Sequence, residues 1–296
     1  MEIDGVFEGG GVKSLAFIGA LREVERKEMT FDRIAGTSAG SVIASFIKAG
    51  YTSQEIESLV TNTDFTTFMD PINSILPFRF AKWARVYWKL GLYRGNLLEQ
   101  WLSDQLAVKG VKTFADLPEG SLKIIASDLT RGRLIVLPDD LEQYGLLPEK
   151  FPVARAVRMS CSIPYFFEPV KVTGASGKRF VIVDGGVLSN FPIWLFLNKK
   201  TNKLKRPLLG FRLSPKFDDL PENDIKNALG LFHSLFETML RAHDLRYITK
   251  DHTDNIVFIP VESVTATDFD LSLEKKKALI NIGRERTNRF LKQWTY

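Results

Sequence analysis

The sequence is poor in the side chains that build disulfides and structural metal sites. Its 296 residues include one cysteine, Cys161, and three histidines. A single cysteine cannot form an intramolecular disulfide, and so few ligands argue against a structural zinc site. A reducing, cytoplasmic compartment fits this composition, and we expect neither a metal nor another cofactor.

Long apolar segments are also absent. No run of about 18 apolar residues occurs, and the N-terminal MEIDGVF lacks the basic and apolar regions of a signal peptide. Any membrane contact is therefore expected to be peripheral. The net charge of +5 favours an anionic surface over a basic ligand, and 45% hydrophobic residues suffice for a sizeable core.

The chain is predicted to form one α/β domain over residues 1–296. At its start, a short apolar strand twice leads through glycines into an apolar helix, which predicts a parallel sheet covered by helices. No repeat or linker divides the rest. Strands are expected at 3–7, 31–35, 123–126, 133–137, 179–183, 208–213 and 256–260, and helices at 14–27, 41–50, 53–60, 95–105, 153–159, 224–247 and 273–294.

Acidic residues are missing between Asp70 and Glu99, where basic and aromatic residues alternate, as in FRFAKWARVYWKLG. A basic face beside aromatic rings suits anionic lipid headgroups, so residues 78–94 are a candidate for peripheral contact with an anionic membrane. The alternative is a helix that covers the core with a solvated basic face. We expect a cap or lid inserted around residues 64–95.

The motif GTSAG, at Gly36 to Gly40, lies between a predicted strand and an apolar helix. The pattern G-x-S-x-G places serine on a strained strand-to-helix turn, and the flanking glycines let strand and helix pack closely. Because this pattern also occurs by chance, the inference depends on its position between a predicted strand and a predicted helix. Ser38 is the candidate nucleophile, and a structural turn is the alternative.

A glycine-rich loop, in EGGGVKSLAFIGAL, precedes the first predicted helix; its glycines are Gly9, Gly10 and Gly11. Backbone N–H groups at a helix N-terminus can hold an anion. A nucleotide phosphate is the weaker interpretation, because Val12 separates the glycines from Lys13, and Ser14 stands where a dinucleotide fingerprint has glycine. No nucleic acid partner is expected. The oxyanion made when Ser38 attacks a carbonyl is the better interpretation.

Histidine is the usual base for a serine nucleophile. Here His233 lies among apolar residues, while His243 and His252 stand beside aspartates, as solvated or salt-bridged side chains do. A catalytic histidine is therefore the weaker interpretation.

Asp184, in RFVIVDGGVLSNFP, is the better candidate base. The apolar run before it predicts a buried strand that carries Asp184 to its carboxyl end, where Gly185 and Gly186 bend the chain. Open α/β sheets collect ligand groups at that edge. An ordinary aspartate is too acidic for this task, so burial has to tune it. The alternative is an aspartate that caps a turn.

These motifs, in this order, resemble those of the patatin-like phospholipases. The resemblance runs from about Ile3 to Pro192 and includes ARAVRMSCSIPYFFEPV, ahead of the aspartate motif. It implies a three-layer α/β/α sandwich with a mainly parallel central sheet. It also implies a serine and aspartate dyad without histidine that hydrolyses lipid esters through an acyl-enzyme.

By position, Ser38 matches the nucleophile of the family and Asp184 its base. The matching residues of the oxyanion loop are Gly9, Gly10 and Gly11. The loop departs from the family pattern at Lys13, where arginine is common, and at Ser14, where glycine is common. Lysine keeps the charge without the bidentate fork, so a salt bridge made by the family arginine is in doubt. We expect the oxyanion hole to be retained.

Two alternatives remain open at this stage. The same dyad can serve an acyltransferase or a thioesterase, and the fold can persist in a catalytically idle lipid-binding protein. The sequence does not name the lipid class, the acyl position, the chain length or the oligomeric state.

Overall fold

The computed structural model of the protein describes residues 1–70, 86–198, 200–201, 203–213 and 250–295, together with Ile225, Ser234 and Thr238. The helix expected at 224–247 falls almost entirely outside these residues. The same holds for residues 78–85 of the aromatic and basic stretch.

Ten strands are described: β1 (Glu2–Phe7), β2 (Thr30–Thr37), β3 (Gly91–Tyr93), β4 (Leu122–Asp128), β5 (Arg133–Leu137), β6 (Tyr165–Phe167), β7 (Val170–Thr173), β8 (Arg179–Asp184), β9 (Leu208–Arg212) and β10 (Ile256–Phe258). Eight of them form the central sheet, with the order β10-β9-β1-β2-β4-β8-β7 and β5 paired with β4. Strands β3 and β6 form a separate parallel pair.

The central sheet is mainly parallel, as the sequence predicts. Parallel pairing joins β10, β9, β1, β2 and β4. By contrast, β5 and β8 both run antiparallel to β4, and β7 runs antiparallel to β8. This reversal at one side of the sheet determines how the candidate site is assembled.

The described helices are α1 (Ala16–Arg26), α2 (Ala39–Lys48), α3 (Ser53–Asn62), α4 (Asn96–Val108), α5 (Val153–Ser160), α6 (Lys250–Thr253) and α7 (Leu273–Leu291). Local sequence explains where two of them begin. Thr52 caps α3 and exchanges hydrogen bonds with Glu55 in a capping box, and the side chain of Ser272 accepts the Lys275 N–H at the start of α7.

Apolar side chains alternate between the two faces of the sheet. On β1, Phe7 belongs to the main core beneath the helices and stacks on Phe211 at 4.9 Å, whereas Val6 belongs to a smaller cluster on the other face. Within the described residues, Phe191 and Phe196 cover that second face.

Several expectations need correction in detail. The helix expected from Ser14 begins as a 3₁₀ turn, Gly11–Leu15, which continues into α1. The short strands β3, β6 and β7 were not expected. Strands β3 and β6 gain strand geometry by pairing with each other across a long stretch of chain, and β7 gains it in a hairpin with β8. No helix in the described part of the chain is both long and apolar enough to cross a membrane.

Helices α1 and α7 cross at two glycines. A Cβ atom added to Gly19 would meet the backbone of Ile280, and one added to Gly283 would meet the backbone of Ala16. Because these neighbours are main-chain atoms, a side chain cannot be accommodated by a rotamer change. The C-terminal helix therefore depends on glycine for its docking.

Gly283→Ala tests this packing. In an unobstructed helix the change would be stabilising by about 1 kcal/mol, whereas overpacking against Ala16 costs about 1–3 kcal/mol. We expect a lower free energy of unfolding in urea. Arg286→Ala, at an exposed position of the same helix, is the control and should change little. A stabilised Gly283→Ala variant would contradict the contact.

Candidate active site

Ser38 lies between β2 and α2 in a strained backbone conformation. Its φ of 51° and ψ of −131° are unusual for a residue with a side chain. The neighbouring glycines allow this turn, because a Cβ on Gly36 would meet the backbone of Gly40 and one on Gly40 would meet the carbonyl of Glu8. The structure thus gives GTSAG the strand-to-helix geometry expected of it.

Ser160, at the end of α5, holds this turn in place. Its buried hydroxyl accepts the Ser38 N–H at 2.8 Å and donates to the carbonyl of Ile125 on β4. On the other side, the Ser41 hydroxyl donates to the Ser38 carbonyl at 2.6 Å. Sequence reasoning did not single out Ser160, although it lies in the ARAVRMSCSIP segment that carries part of the resemblance.

Asp184 reaches Ser38 by a route that differs from the expected one. The sequence argument placed it at the carboxyl edge of a parallel sheet, but β8 runs antiparallel to β4. On β4, Ile125 pairs with Thr37 of β2, and the next residue, Ala126, pairs with Asp184. The carboxyl end of β8 therefore lies level with the turn at Ser38, although β8 runs in the direction opposite to β2.

The two side chains meet in a buried hydrogen bond. The Ser38 hydroxyl donates to Oδ2 of Asp184 at 2.6 Å, and the Gly186 N–H donates to Oδ1 at 2.8 Å. The Asp184 N–H is bound in turn by the carbonyl of Ser162. Ser38 is 6% exposed and Asp184 3%, so bulk water competes little for these contacts.

Burial raises the pKa of Asp184 to about 7. The hydrogen bonds from Ser38 and Gly186 and the positive charge of Arg158 act in the opposite direction, because each favours the ionised carboxylate. Arg158 is itself almost fully buried, and its guanidinium donates to the carbonyls of Gly95 and Glu168. A carboxyl group in this state can exchange a proton near neutral pH.

The three loop glycines have different roles in the geometry. The Gly9 N–H already donates to the carbonyl of Asn190 at 3.2 Å. The N–H groups of Gly10 and Gly11 donate to no acceptor among the described residues, and Gly11 has a positive φ of 55° at the start of its 3₁₀ turn. Within the described part of the chain, Gly10 and Gly11 are therefore the loop glycines whose N–H groups have no acceptor.

A buried ion pair holds Glu8, the residue directly before the loop glycines, in place. Arg212 on β9 contacts Oε1 of Glu8 at 3.0 Å, and Oε2 of Glu8 accepts the N–H of Leu213 at 2.5 Å. The side chain of Lys13, by contrast, forms no ion pair or hydrogen bond in the described part of the chain, although its charge helps to lower the pKa of Asp268. Within the described residues, Lys13 therefore does not form the salt bridge that was in question for the family arginine.

Among the described residues, none of these contacts involves a histidine. His233 and His243 lie outside the described residues. His252 is buried ahead of β10, at the amino end of a strand parallel to β1, whereas Ser38 follows the carboxyl end of β2. His252 and Ser38 are thus at opposite edges of the sheet. Among the described residues, no three histidine, cysteine or carboxylate side chains are grouped to hold a metal ion.

Comparison with known proteins identifies the family of the chain. The family model of the patatin-like phospholipases matches residues 5–197, and the chain belongs to that family. It is 54% identical to the uncharacterized protein YqhO of Bacillus subtilis over the full length of both chains. It is 27% identical to a cUMP-AMP-activated phospholipase of Escherichia coli, with the match covering 67% of this chain and 59% of the relative.

The solved structure of VipD from Legionella pneumophila has a similar fold. The TM-score is 0.58 at 16% identity, over 99% of this chain and 67% of VipD. The mainly parallel α/β fold that the sequence predicts is thereby confirmed.

Asp184→Asn tests the electrostatics of the site independently of any activity. An unfolded aspartate has a pKa near 3.9, so between about pH 4 and 7 native Asp184 holds a proton that the unfolded chain has lost. Wild-type stability must therefore fall as the pH rises through this window. Asparagine does not titrate and can still bind Ser38 and Gly186, so we expect the variant to be the more stable protein at pH 8.

Urea unfolding of both proteins at pH 5, 6, 7 and 8 measures this difference. The gap should widen by up to a few kcal/mol as the pH rises to about 7, and then remain constant. Asp254→Asn, at an exposed position, should show no such trend. A gap for Asp184→Asn that is the same at every pH would contradict the raised pKa.

Proposed function

We propose that the protein is a serine acyl hydrolase that cleaves carboxyl esters of lipids through an acyl-enzyme. Its family and its phospholipase relative support lipid ester hydrolysis in general. The observation that carries the finer proposal is the buried hydrogen bond between Ser38 and Asp184. It pairs an alcohol on a strained turn with a carboxylate of raised pKa, which meets the requirements of a nucleophile and its base.

In the first half of the reaction, Ser38 Oγ attacks the ester carbonyl carbon and its proton passes to Oδ2 of Asp184. The carbonyl oxygen becomes an oxyanion, which the N–H groups of Gly10 and Gly11 hold at the start of the 3₁₀ turn. The intermediate then collapses and the C–O bond to the leaving alcohol breaks. Asp184 returns the proton to that alcohol oxygen, which leaves an acyl ester on Ser38.

Water completes the cycle by the same steps. Asp184 takes a proton from the attacking water, the oxyanion forms again, and the acyl–Ser38 bond breaks as the proton returns to Ser38 Oγ. A free fatty acid leaves. Because Asp184 accepts a proton in both halves, it must start ionised, so the rate should rise with pH to a plateau above about 7.

Substitution of the dyad tests this proposal. With medium-chain p-nitrophenyl esters as substrates, Ser38→Ala and Asp184→Asn should each lower kcat by more than about a thousandfold. The triple variant of His233, His243 and His252 to alanine should stay within a few-fold of wild type. An inactive histidine variant beside an active Asp184→Asn variant would show that the dyad is wrong.

Ser45→Ala is the matched control for Ser38→Ala. Ser45 is buried on α2, the helix that directly follows Ser38, and its hydroxyl donates to the carbonyl of Val42, away from Asp184. This variant should remain active. A fluorophosphonate probe should label wild type and Ser45→Ala but not Ser38→Ala; absence of labelling in folded wild type would favour a catalytically idle lipid-binding protein. Mass spectrometry with and without an added lysolipid or alcohol separates a hydrolase from an acyltransferase.

We also propose that the cap expected around residues 64–95 contacts an anionic lipid surface. Its described end exposes two aromatic rings, Tyr87 at 74% and Trp88 at 76%, which meet edge to face with their centroids 5.1 Å apart. Lys89 and Arg94 are exposed beside them. Amphipathic rings next to positive charges are typical of residues that lie at a headgroup interface.

Vesicle flotation tests this contact in a Ser38→Ala background, which leaves the lipids intact. Recovery with phosphatidylglycerol vesicles should fall several-fold when Tyr87 and Trp88 are both changed to serine or when Lys89 is changed to glutamate. Val108→Ser, at a residue 74% exposed outside the cap, controls for lost apolar surface. Equal recovery for all these proteins would contradict the membrane proposal and favour the alternative, a helix that covers the core with a solvated basic face.

A further inference from the structure

An apolar cavity of about 100 Å³ adjoins Ser38. None of the described residues that line it is charged, and apart from Ser38 the hydroxyl or thiol groups among them are those of Ser14 and Cys161. Burial raises the pKa of the Cys161 thiol, which is therefore neutral. A polar headgroup would lose its hydration in this cavity without compensation, so the occupant must be an uncharged apolar group.

Helix α2 sets the direction and length of the cavity. Four of its residues line one side: Ala39, Val42, Ile43 and Phe46. Their spacing places them on a single face of the helix, which begins directly after Ser38. With a rise of 1.5 Å per residue, Phe46 lies about 12 Å along the helix from Ser38. The cavity thus extends inward from the nucleophile.

Among the described residues, aromatic side chains form a wall of the cavity at the level of Phe46. The ring of Trp101, on α4, lies 5.6 Å from that of Phe46 and 5.3 Å from that of Phe68. All three residues line the cavity. Large rings packed this closely leave little room for an additional methylene, so this wall limits the length of any chain that enters.

The opposite end carries the reactive groups. Gly11, whose N–H is free among the described residues, lines the same cavity as Ser38. An ester carbonyl seated between them would have two substituents, and only one can point along α2. The acyl chain fits this direction, because it is apolar throughout, whereas the alcohol part of a lipid carries the polar headgroup.

We propose that this cavity is the acyl-chain site and that the wall of Phe46, Phe68 and Trp101 selects acyl groups of medium length, such as octanoyl. This inference rests on the proposed acyl hydrolysis. Each methylene that finds room should raise kcat/KM about fourfold, and the gain should stop where the chain meets the wall. Selectivity then depends on the acyl chain rather than on the headgroup.

Two substitutions with opposite effects test the site against a series of p-nitrophenyl esters from acetate to palmitate. Val42→Phe fills the middle of the cavity at a half-buried position, so octanoate turnover should fall at least about tenfold while acetate turnover changes less than about twofold. Trp101→Leu shortens the wall, and the optimum should move from octanoate towards dodecanoate. Thermal unfolding verifies that each variant is folded.

Trp294→Leu is the matched control for Trp101→Leu. Trp294 is a partly buried tryptophan that packs on the core without lining the cavity. Its variant should keep the wild-type chain-length profile. The acyl-site proposal is overturned if Val42→Phe lowers acetate and octanoate turnover equally, or if folded Trp101→Leu keeps the wild-type optimum. Folded wild type that cleaves no ester and resists fluorophosphonate would instead contradict the proposed function.

Discussion

The hydrogen bond between Ser38 and Asp184 joins two segments that approach from opposite directions. Ser38 follows a strand of the parallel part of the sheet, and Asp184 ends a strand that runs antiparallel to it. Strand β4 pairs with both strands and so sets their relative height. The geometry of the site therefore depends on the register of β4, and the Ser160 hydroxyl strengthens it by linking Ser38 to Ile125 of that strand.

Several features of this site work against folding. Ser38 has a positive φ, Asp184 is buried as a carboxyl group, and Arg158 is buried with hydrogen bonds to carbonyls of Gly95, Arg94 and Glu168 rather than to a carboxylate. Each is costly on its own. They persist because they lie within one continuous core formed by the strands and the helices on one face of the sheet. Strain and raised pKa values of this kind cluster at functional sites.

Local patterns made part of this site predictable from sequence, and long-range pairing explains the rest. The turn at Ser38 could be predicted because GTSAG contains all the residues that the turn requires. Asp184, the predicted base, contacts Ser38 in the structure, but it reaches Ser38 by a route other than the expected one, since the direction of β8 depends on pairing with β4. Two contacts could not be predicted in this way: the Gly9 N–H donates to Asn190, and the Ser38 N–H donates to Ser160. In both, the partner lies far away in the chain, so no local sequence pattern indicates it.

The raised pKa of Asp184 links the stability of the protein to its proposed chemistry. A carboxyl group with an ordinary pKa would remain ionised but would be a weak base towards a serine hydroxyl. Complete burial without donors would raise the pKa further, so that too little carboxylate would remain near neutral pH. The N–H of Gly186 and the hydroxyl of Ser38 prevent this, because both stabilise the charged form. The value near 7 is thus a balance between burial and two hydrogen bonds, and it is reached without a histidine in contact with Asp184 among the described residues.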